Sequence, residues 1–455
     1  MISSARANMP IFNCTNHISC SLQIHCESRR MGRSSIPNRQ IRPKDIRVTH
    51  VSQFFPPDMG GMEQHVYYIT SNLAKLGINC NILAFKSSSK LPIYPMSSRL
   101  FIKRVGYYIA GPPTFSKVLR HYKCCIQWTL EILKFHKNSA ILHIHAPSPM
   151  LKLSRRHNLK PLFLLKKMGL LSKPTVVTFH GLHTRYQTQY LPLDQMDIES
   201  GDFFIGVDKT ICHDLQDYFG ISSDRVFYIP NGVDTGLFFP SKTDLGLKKR
   251  LFKNPSVNII LLPRRVDPKN GILQAVKALS GIIRDYRNVR MLILGFGHPS
   301  FTGYQRQILN EINRLGLKNY VVPHRAVPHR LMRKYYNISY LSLIPSFWEA
   351  TSLSALESLA CGVPVVASNT GGLPEVVTSE VGILHRQGDV DEMIKDITYL
   401  LENPQIRESM SKKGIAISKK RDWKTNTKEV LNVYERALNL SQDSLPITKE
   451  LYDFK

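Results

Sequence analysis

The sequence predicts an α/β protein of two doubly wound parallel-sheet domains that face each other across a cleft. Three observations carry that expectation. Short runs rich in Val, Ile and Phe alternate with longer stretches of helical spacing, the pattern of strands joined by right-handed helical crossovers. The alternation pauses at a polar, basic stretch over 241–255 and then restarts. The chain's 455 residues are also too many for one ordinary core.

In chain order, the first-half strands read as IRVTHVSQF (46–54), NCNILAF (79–85), AILHIH (140–145), TVVTFH (175–180) and FFIGVD (203–208). Each is a short apolar run, as strands buried on both faces should be. Helical spacing fills 62–76 and 115–136 between them. After YIPNGVDTGLFFP (228–240), the second-half strands read as NIILLP (258–263), RMLILG (290–295), YVVPH (320–324), SYLSLIP (339–345), PVVAS (364–368) and VGILH (381–385). The expected division is a basic extension at 1–44, a first domain at 45–235, a second at 236–421, and a closing helix with a tail at 422–455. Ligands of such sheets bind beyond the carboxyl ends of the strands, and two facing sheets place one cleft between them.

The bulk numbers narrow the class. A hydrophobic fraction of 43% is that of a globular chain, and no apolar run approaches the ~18 residues that span a bilayer. The net charge of +27 is uneven: between Gln64 and Leu193, nineteen Lys and Arg face one acid, Glu131. Such a field favours nucleotide phosphates, nucleic acid or an acidic membrane surface, with a merely solubilising surface as the plain alternative. Basic and apolar residues mix in LKLSRRHNLKPLFLLKKMGLLSK (151–173). There Lys152, Arg155, Arg156, Lys160, Lys166, Lys167 and Lys173 either hold the domain on an anionic membrane or form a solvated face. The eight cysteines have no CxxC or metal-ligand spacing, which suits reduced cytosolic thiols. Residues 1–44 lack the apolar segment of a secretory signal; a transit peptide, a tail or an early start codon fits them alike.

Chemistry-bearing residues concentrate after predicted strands. WEATSLSALE (348–357) places Glu349 in a loop and Glu357 in the helix that follows. With Thr351 or Ser352 capping that helix, its first amides point out of the strand's carboxyl end and make an anion site. Two acids beside it suit sugar and ribose hydroxyls rather than phosphate; the competing reading is a Ser354–Glu357 capping box with Glu349 in solvent. The turn FFPPDMGGMEQH (54–65) follows the first strand, and Gly60 and Gly61 let its amides approach a charged group. His180 and Gly181 end TVVTFHG at the cleft edge. His143 and His145 form an H-x-H pair, but the sequence shows no third metal ligand, so strand-end packing is expected. Asp389 of DVD (389–391) reads as a helix N-cap, and no metal site is expected.

The block over 345–377, with its E-x7-E pair, CG-P-V-AS and GG-PE in order, resembles the family-4 (group 1) retaining glycosyltransferases, and the resemblance extends over about 46–440. It implies the GT-B fold, two Rossmann-like domains, with transfer of a sugar from a UDP- or GDP-sugar co-substrate and no required metal or other cofactor. It further implies a second domain that holds the nucleotide: Glu349 at the sugar, Glu357 at the ribose, and the turn of Thr351, Ser352 and Leu353 at the phosphates. LPRRVDPKNG (262–271) matches the family's Arg and Lys pair that clamps the diphosphate. Arg265 and Lys269 are the expected clamp; Arg264 stays open, because Pro263-Arg264 stands where Gly-Arg is common. Gly295 and Gly297 line the donor side, and Arg325 replaces a common Gly at the base-reading loop. Gly60, Gly61 and His180 face donor phosphate and acceptor, and His145 and Glu63 are weaker acceptor-side candidates. Expected partners are the nucleotide sugar, an anionic or lipid-linked acceptor and an anionic membrane surface, in a cytoplasmic or peripherally bound protein. Nucleic acid is not expected, since no zinc-finger or RNP-like signature occurs. The rival readings are a sugar-nucleotide epimerase or phosphorylase of the same fold, and a basic nucleic-acid-binding protein.

Overall fold

The computed structural model describes residues 46–58, 60–87, 97–107, 115–147, 151–152, 158–182, 191–297 and 301–441. The expected extension at 1–44, the side chains of Lys152, Arg155 and Arg156, and the tail beyond 441 lie outside the described residues. The described residues form one compact unit that contains both sheets.

The first half supplies β1 (Arg47–Val51), β2 (Asn79–Lys86), β3 (Leu100–Tyr107) and β4 (Ile141–Ala146). A short antiparallel pair, β5 (Leu151–Lys152) and β6 (Asn158–Leu159), precedes β7 (Thr175–Phe179), β8 (Phe203–Gly206) and β9 (Val226–Tyr228). The second half supplies β10 (Asn258–Leu262), β11 (Val289–Phe296), β12 (Val321–Arg325), β13 (Leu341–Ile344), β14 (Val365–Ser368) and β15 (Gly382–His385). One seven-stranded sheet runs β3-β2-β1-β4-β7-β8-β9 and a six-stranded sheet runs β12-β11-β10-β13-β14-β15. Every pairing within them is parallel. In both, the first strand of the half lies inside the sheet and the order reverses beside it, which opens a crevice at the carboxyl ends of the strands.

Burial explains why these runs are strands. Ile141, Leu142, Ile144, Val176, Val177, Phe204 and Ile205 have no exposed surface, and Ile259, Leu261 and Leu262 likewise. The strands not foreseen are the weakly patterned ones. β3 is an edge strand whose Lys103 and Arg104 break the apolar run, and β9 has three residues.

The closing helix, Trp423–Ser441, returns to the first sheet: Trp423, Val430, Leu431 and Tyr434 share a core with Val48, Ile69, Val176 and Ile205. It is thus a part of the first domain's packing, contributed by the end of the chain.

Among the described residues of 151–173, Lys160, Lys166 and Lys167 each meet an acid of the same domain. Lys160 is 1% exposed and its Nζ meets Asp197 at 2.5 Å. Lys166 donates to both oxygens of Asp202 at 2.9 and 2.8 Å, and Lys167 pairs with Glu199 at 2.5 Å. These three charges are paired within the domain, Lys160 fully buried and Lys167 with more than half of its side chain exposed.

Candidate active site

The second-domain half of the site is built on three adjoining strand ends. Leaving β10, Arg264 turns inward, and its guanidinium donates to Ser354 Oγ at 3.2 Å, Asn270 Oδ1 at 3.3 Å and Ser346 Oγ at 3.3 Å, and pairs with Glu349. Arg265, one position on, is exposed and lies in the field of Glu63 from the opposite domain. The sequence expected Arg265 and Lys269 as the clamp and left Arg264 open; of the two arginines, Arg264 is the one that faces Glu349 and the helix start. The reason is alternation, since consecutive side chains leaving a strand point to opposite sides. Lys269 stays with the cluster, its ammonium 5.4 Å from the Trp348 ring.

Backbone close approach fixes this arrangement. Gly295, one residue before the end of β11, has φ 96°, and a Cβ there would sit 2.7 Å from the Arg264 carbonyl oxygen. Gly371, at φ 53°, lies against the Glu349 carbonyl, and Gly372 N–H donates to that same oxygen at 3.0 Å. The GG of GG-PE is thus the backing of the Glu349 loop. Gly297 and the exposed Arg325 sit together at the outer end, with the Arg325 Cγ 3.9 Å from where a Gly297 Cβ would be.

The helix Leu353–Ala360 follows, with Ser352 at its N-cap position. Neither capping expectation holds. The Ser352 hydroxyl makes no cap bond and is buried without a partner. Thr351 Oγ1 instead donates to the Val207 carbonyl of the first domain. Ser354 is occupied by Arg264, so no Ser354–Glu357 box forms. Glu357 is 8% exposed, and its carboxylate accepts from His329 Nε2 at 2.7 Å and from Tyr336 OH at 2.9 Å. Those two donors hold it in one orientation while leaving lone pairs for a ligand hydroxyl. His329 and Tyr336 carry no motif, and only the helix register of 329–337 could have flagged them.

The first domain faces this cluster closely. A Cβ on Gly181 would lie 2.6 Å from the Trp348 ring, and one on Gly61 would lie 3.9 Å from Leu353. Gly60 is extended at φ 175°, so no glycine is demanded there by backbone conformation. Glu63, in the first turn of helix α1 (Gly61–Lys75), is buried, which raises its carboxyl pKa against the opposing pull of Arg265.

His180 is one end of a histidine chain that the sequence showed only in part. Its Nε2 lies 3.3 Å from His145 Nδ1, and His145 Nε2 lies 3.1 Å from His50 Nδ1. His65, from α1, stacks edge-on against His180 at 4.6 Å and is oriented by Asn231 Oδ1 at 2.8 Å. His143 is satisfied by Tyr434 OH at 2.6 Å and Thr178 Oγ1 at 2.7 Å, the packing role expected of it. Burial pushes the pKa of His50 down to about 3 and that of His65 to about 4, and holds those of His145 and His180 well below the usual range. These imidazoles are neutral at physiological pH, so His180 presents a hydrogen-bonding ring and not a cation. The third imidazole missing from H-x-H does exist in space. Ring nitrogens of His65, His145 and His180 lie within 4.8 Å of one another, as do those of His50, His143 and His145. Either trio has the donor type that suits a transition metal. Asp389 is the helix N-cap expected of it, its Oδ1 accepting from Glu392 N at 2.9 Å.

The arrangement sets Arg264 and Lys269, two oriented carboxylates and the start of the helix Leu353–Ala360 on one side, and neutral imidazoles on the other. Comparison with known proteins adds to this. Residues 59–237 match the Glycosyltransferase Family 4 profile and residues 246–416 match that of Glycosyl transferases group 1. A phosphatidylinositol N-acetylglucosaminyltransferase subunit of Arabidopsis thaliana is 27% identical over 418 residues, covering 89% of this chain and 85% of that one. The D-inositol 3-phosphate glycosyltransferase of Kineococcus radiotolerans is 23% identical over 437 residues, covering 90% and 97%. Among solved structures, the sucrose-phosphate synthase of Thermosynechococcus elongatus superposes with a TM-score of 0.72 at 20% identity, covering 87% of this chain and 100% of that one. The Anabaena protein HepE, solved in complex with UDP-glucose, gives 0.66 at 16% identity, covering 85% and 98%.

Proposed function

Because the chain belongs to the group 1, family-4 glycosyltransferases and has their GT-B fold, we propose that it moves a sugar from a nucleoside diphosphate donor to a membrane-borne, inositol-type glycolipid with retention of configuration. One observation carries the donor half: Arg264, Glu349 and the start of the helix Leu353–Ala360 converge at the carboxyl ends of β10 and β13. In this reading the Arg264 guanidinium and Lys269 take the charge of the departing diphosphate, and the helix amides bind its oxygens. Glu349 accepts from sugar hydroxyls and Glu357 from the ribose. Binding of UDP-glucose by HepE supports a uridine donor.

The acceptor enters from the first domain, where the neutral His180 ring hydrogen-bonds the attacking hydroxyl or the transferring sugar. His145 and His50 hold that ring's orientation behind it. No side chain here need act as a nucleophile; attack on the face the diphosphate leaves, with the phosphate oxygen taking the proton, retains the configuration. Metal-independent transfer is part of the proposal, and the use of Asp389 as a helix cap supports it. The names of the two relatives, a phosphatidylinositol and an inositol phosphate transferase, support an inositol-bearing acceptor.

The test is transfer of radiolabelled sugar from UDP-N-acetylglucosamine and from other UDP- and GDP-sugars to phosphatidylinositol in mixed micelles. Label in the lipid phase supports the reading. Label only in water-soluble inositol phosphates, or in no acceptor, overturns it.

A further inference from the structure

Helix α2 (Phe115–Lys137) has two apolar faces, and only one of them is used by the fold. His121, Cys124, Cys125, Trp128, Ile132 and His136 are buried. On the other side, Leu119 is 65% exposed, Tyr122 49%, Ile126 60% and Leu130 62%. At about 100° per residue these four fall within an arc of about 80°, a continuous stripe along three turns. Scattered exposed apolar residues are ordinary on a soluble surface; four in register on one helix are not.

The surroundings of the stripe specify its occupant. Arg120, Lys123, Lys134 and Lys137 are exposed on the stripe or along one flank of it. The helix has one acid, Glu131, and it is turned to β3, where it pairs with Lys103 at 3.1 Å. The outward face is therefore apolar and cationic together. Exposed Met168 and Leu170 lie near its C-terminal end, where Ser172 N donates to His136 Nε2 at 3.0 Å. A protein partner is served by apolar area alone; cations beside it match a bilayer with anionic headgroups.

We infer that the outer face of α2 is the surface by which this chain docks on an anionic membrane. The inference rests on the glycolipid-acceptor reading and names the surface that reading requires. Its placement suits that role: α2 follows β3 and so begins at the carboxyl edge of the sheet, the edge that carries His145 and His180. A bilayer lying on Leu119 and Tyr122 would hold a lipid's headgroup at the mouth of the cleft. Among the described residues no helix is long and apolar enough to cross a membrane, so contact of this kind is one the interface geometry permits.

The test is co-sedimentation of the full chain with vesicles of phosphatidylcholine alone and of phosphatidylcholine mixed with phosphatidylserine. Wild type should partition onto the anionic vesicles and come off with salt. Ile126→Ser with Leu130→Ser, and separately Lys123→Glu with Lys134→Glu, should each weaken partitioning by roughly tenfold or more, with donor hydrolysis in solution unchanged. Variants that bind anionic vesicles like wild type overturn the docking face while leaving the glycolipid reading intact. A wild type that ignores anionic vesicles yet glycosylates soluble inositol phosphate overturns both. A dimer in solution that either double variant dissolves also overturns it, since a second copy would then be the occupant.

Discussion

Replacing Arg264 by Lys keeps one positive charge at the end of β10 and removes the planar fork. The fork serves Ser354, Asn270, Ser346 and Glu349 at once, with 11% of the side chain exposed. A lysine ammonium is a point charge and cannot reproduce a bidentate grip on phosphate. Hydrogen bonds to charged groups are worth about 1.5–3 kcal/mol each, so losing one to the donor diphosphate and loosening a second costs about 3 kcal/mol. That is roughly a hundredfold in affinity. Arg265→Lys changes an exposed side chain, and its effect should stay within about threefold. Titration calorimetry with UDP and GDP measures both, with thermal melts to show that each variant is folded. If Arg265→Lys loses as much affinity as Arg264→Lys, or if Arg264→Lys binds like wild type, the assignment of the inward arginine is wrong.

Glu357→Gln should weaken nucleoside diphosphate binding by ~1–3 kcal/mol, since it removes the charge held by His329 and Tyr336; calorimetry showing unchanged affinity would remove its role at the ribose. His180→Ala should lower kcat in steady-state assays far more than it lowers donor affinity, and a fully active variant would end that assignment. The buried histidines give an acid dependence of stability. His50 and His65 have folded pKa values of about 3 and about 4 against an ordinary 6.5, so below 6.5 the unfolded chain binds more protons than the folded one. Their contribution is complete above pH 6.5 and is lost as the pH falls toward the folded values, about 2 kcal/mol for each by about pH 5. Urea denaturation at neutral pH and near pH 5 checks this, and equal stabilities would mean the two rings are not buried neutral.

How much of this was legible in the sequence follows from where the information lies. Runs such as NIILL and TVVTF announce themselves because a strand buried on both faces must be apolar along its length. Edge strand β3 does not, because half of it faces water and admits Lys103 and Arg104. The E-x7-E acids stood out as charges in a small-residue run, but their partners did not. Tyr336 and His329 reach Glu357 from a different helical segment, and nothing local marks them. Choosing between Arg264 and Arg265 needed the direction of one side chain, which a one-residue change of register reverses. The histidine chain joins positions 50, 65, 145 and 180, each ordinary in its own stretch. Likewise Lys160, Lys166 and Lys167 looked free because their partners Asp197, Asp202 and Glu199 lie 32 to 37 residues on in the sequence.

The central claim is a nucleoside diphosphate sugar gripped at the carboxyl ends of β10 and β13. Incubating the full chain with a panel of UDP- and GDP-sugars and following the products by proton NMR examines it directly. The account predicts slow release of the nucleoside diphosphate from one of these donors, strongly reduced in Arg264→Lys, with the sugar first appearing in the donor's own anomeric form. Release from none of them, or a sugar that first appears inverted, would contradict it.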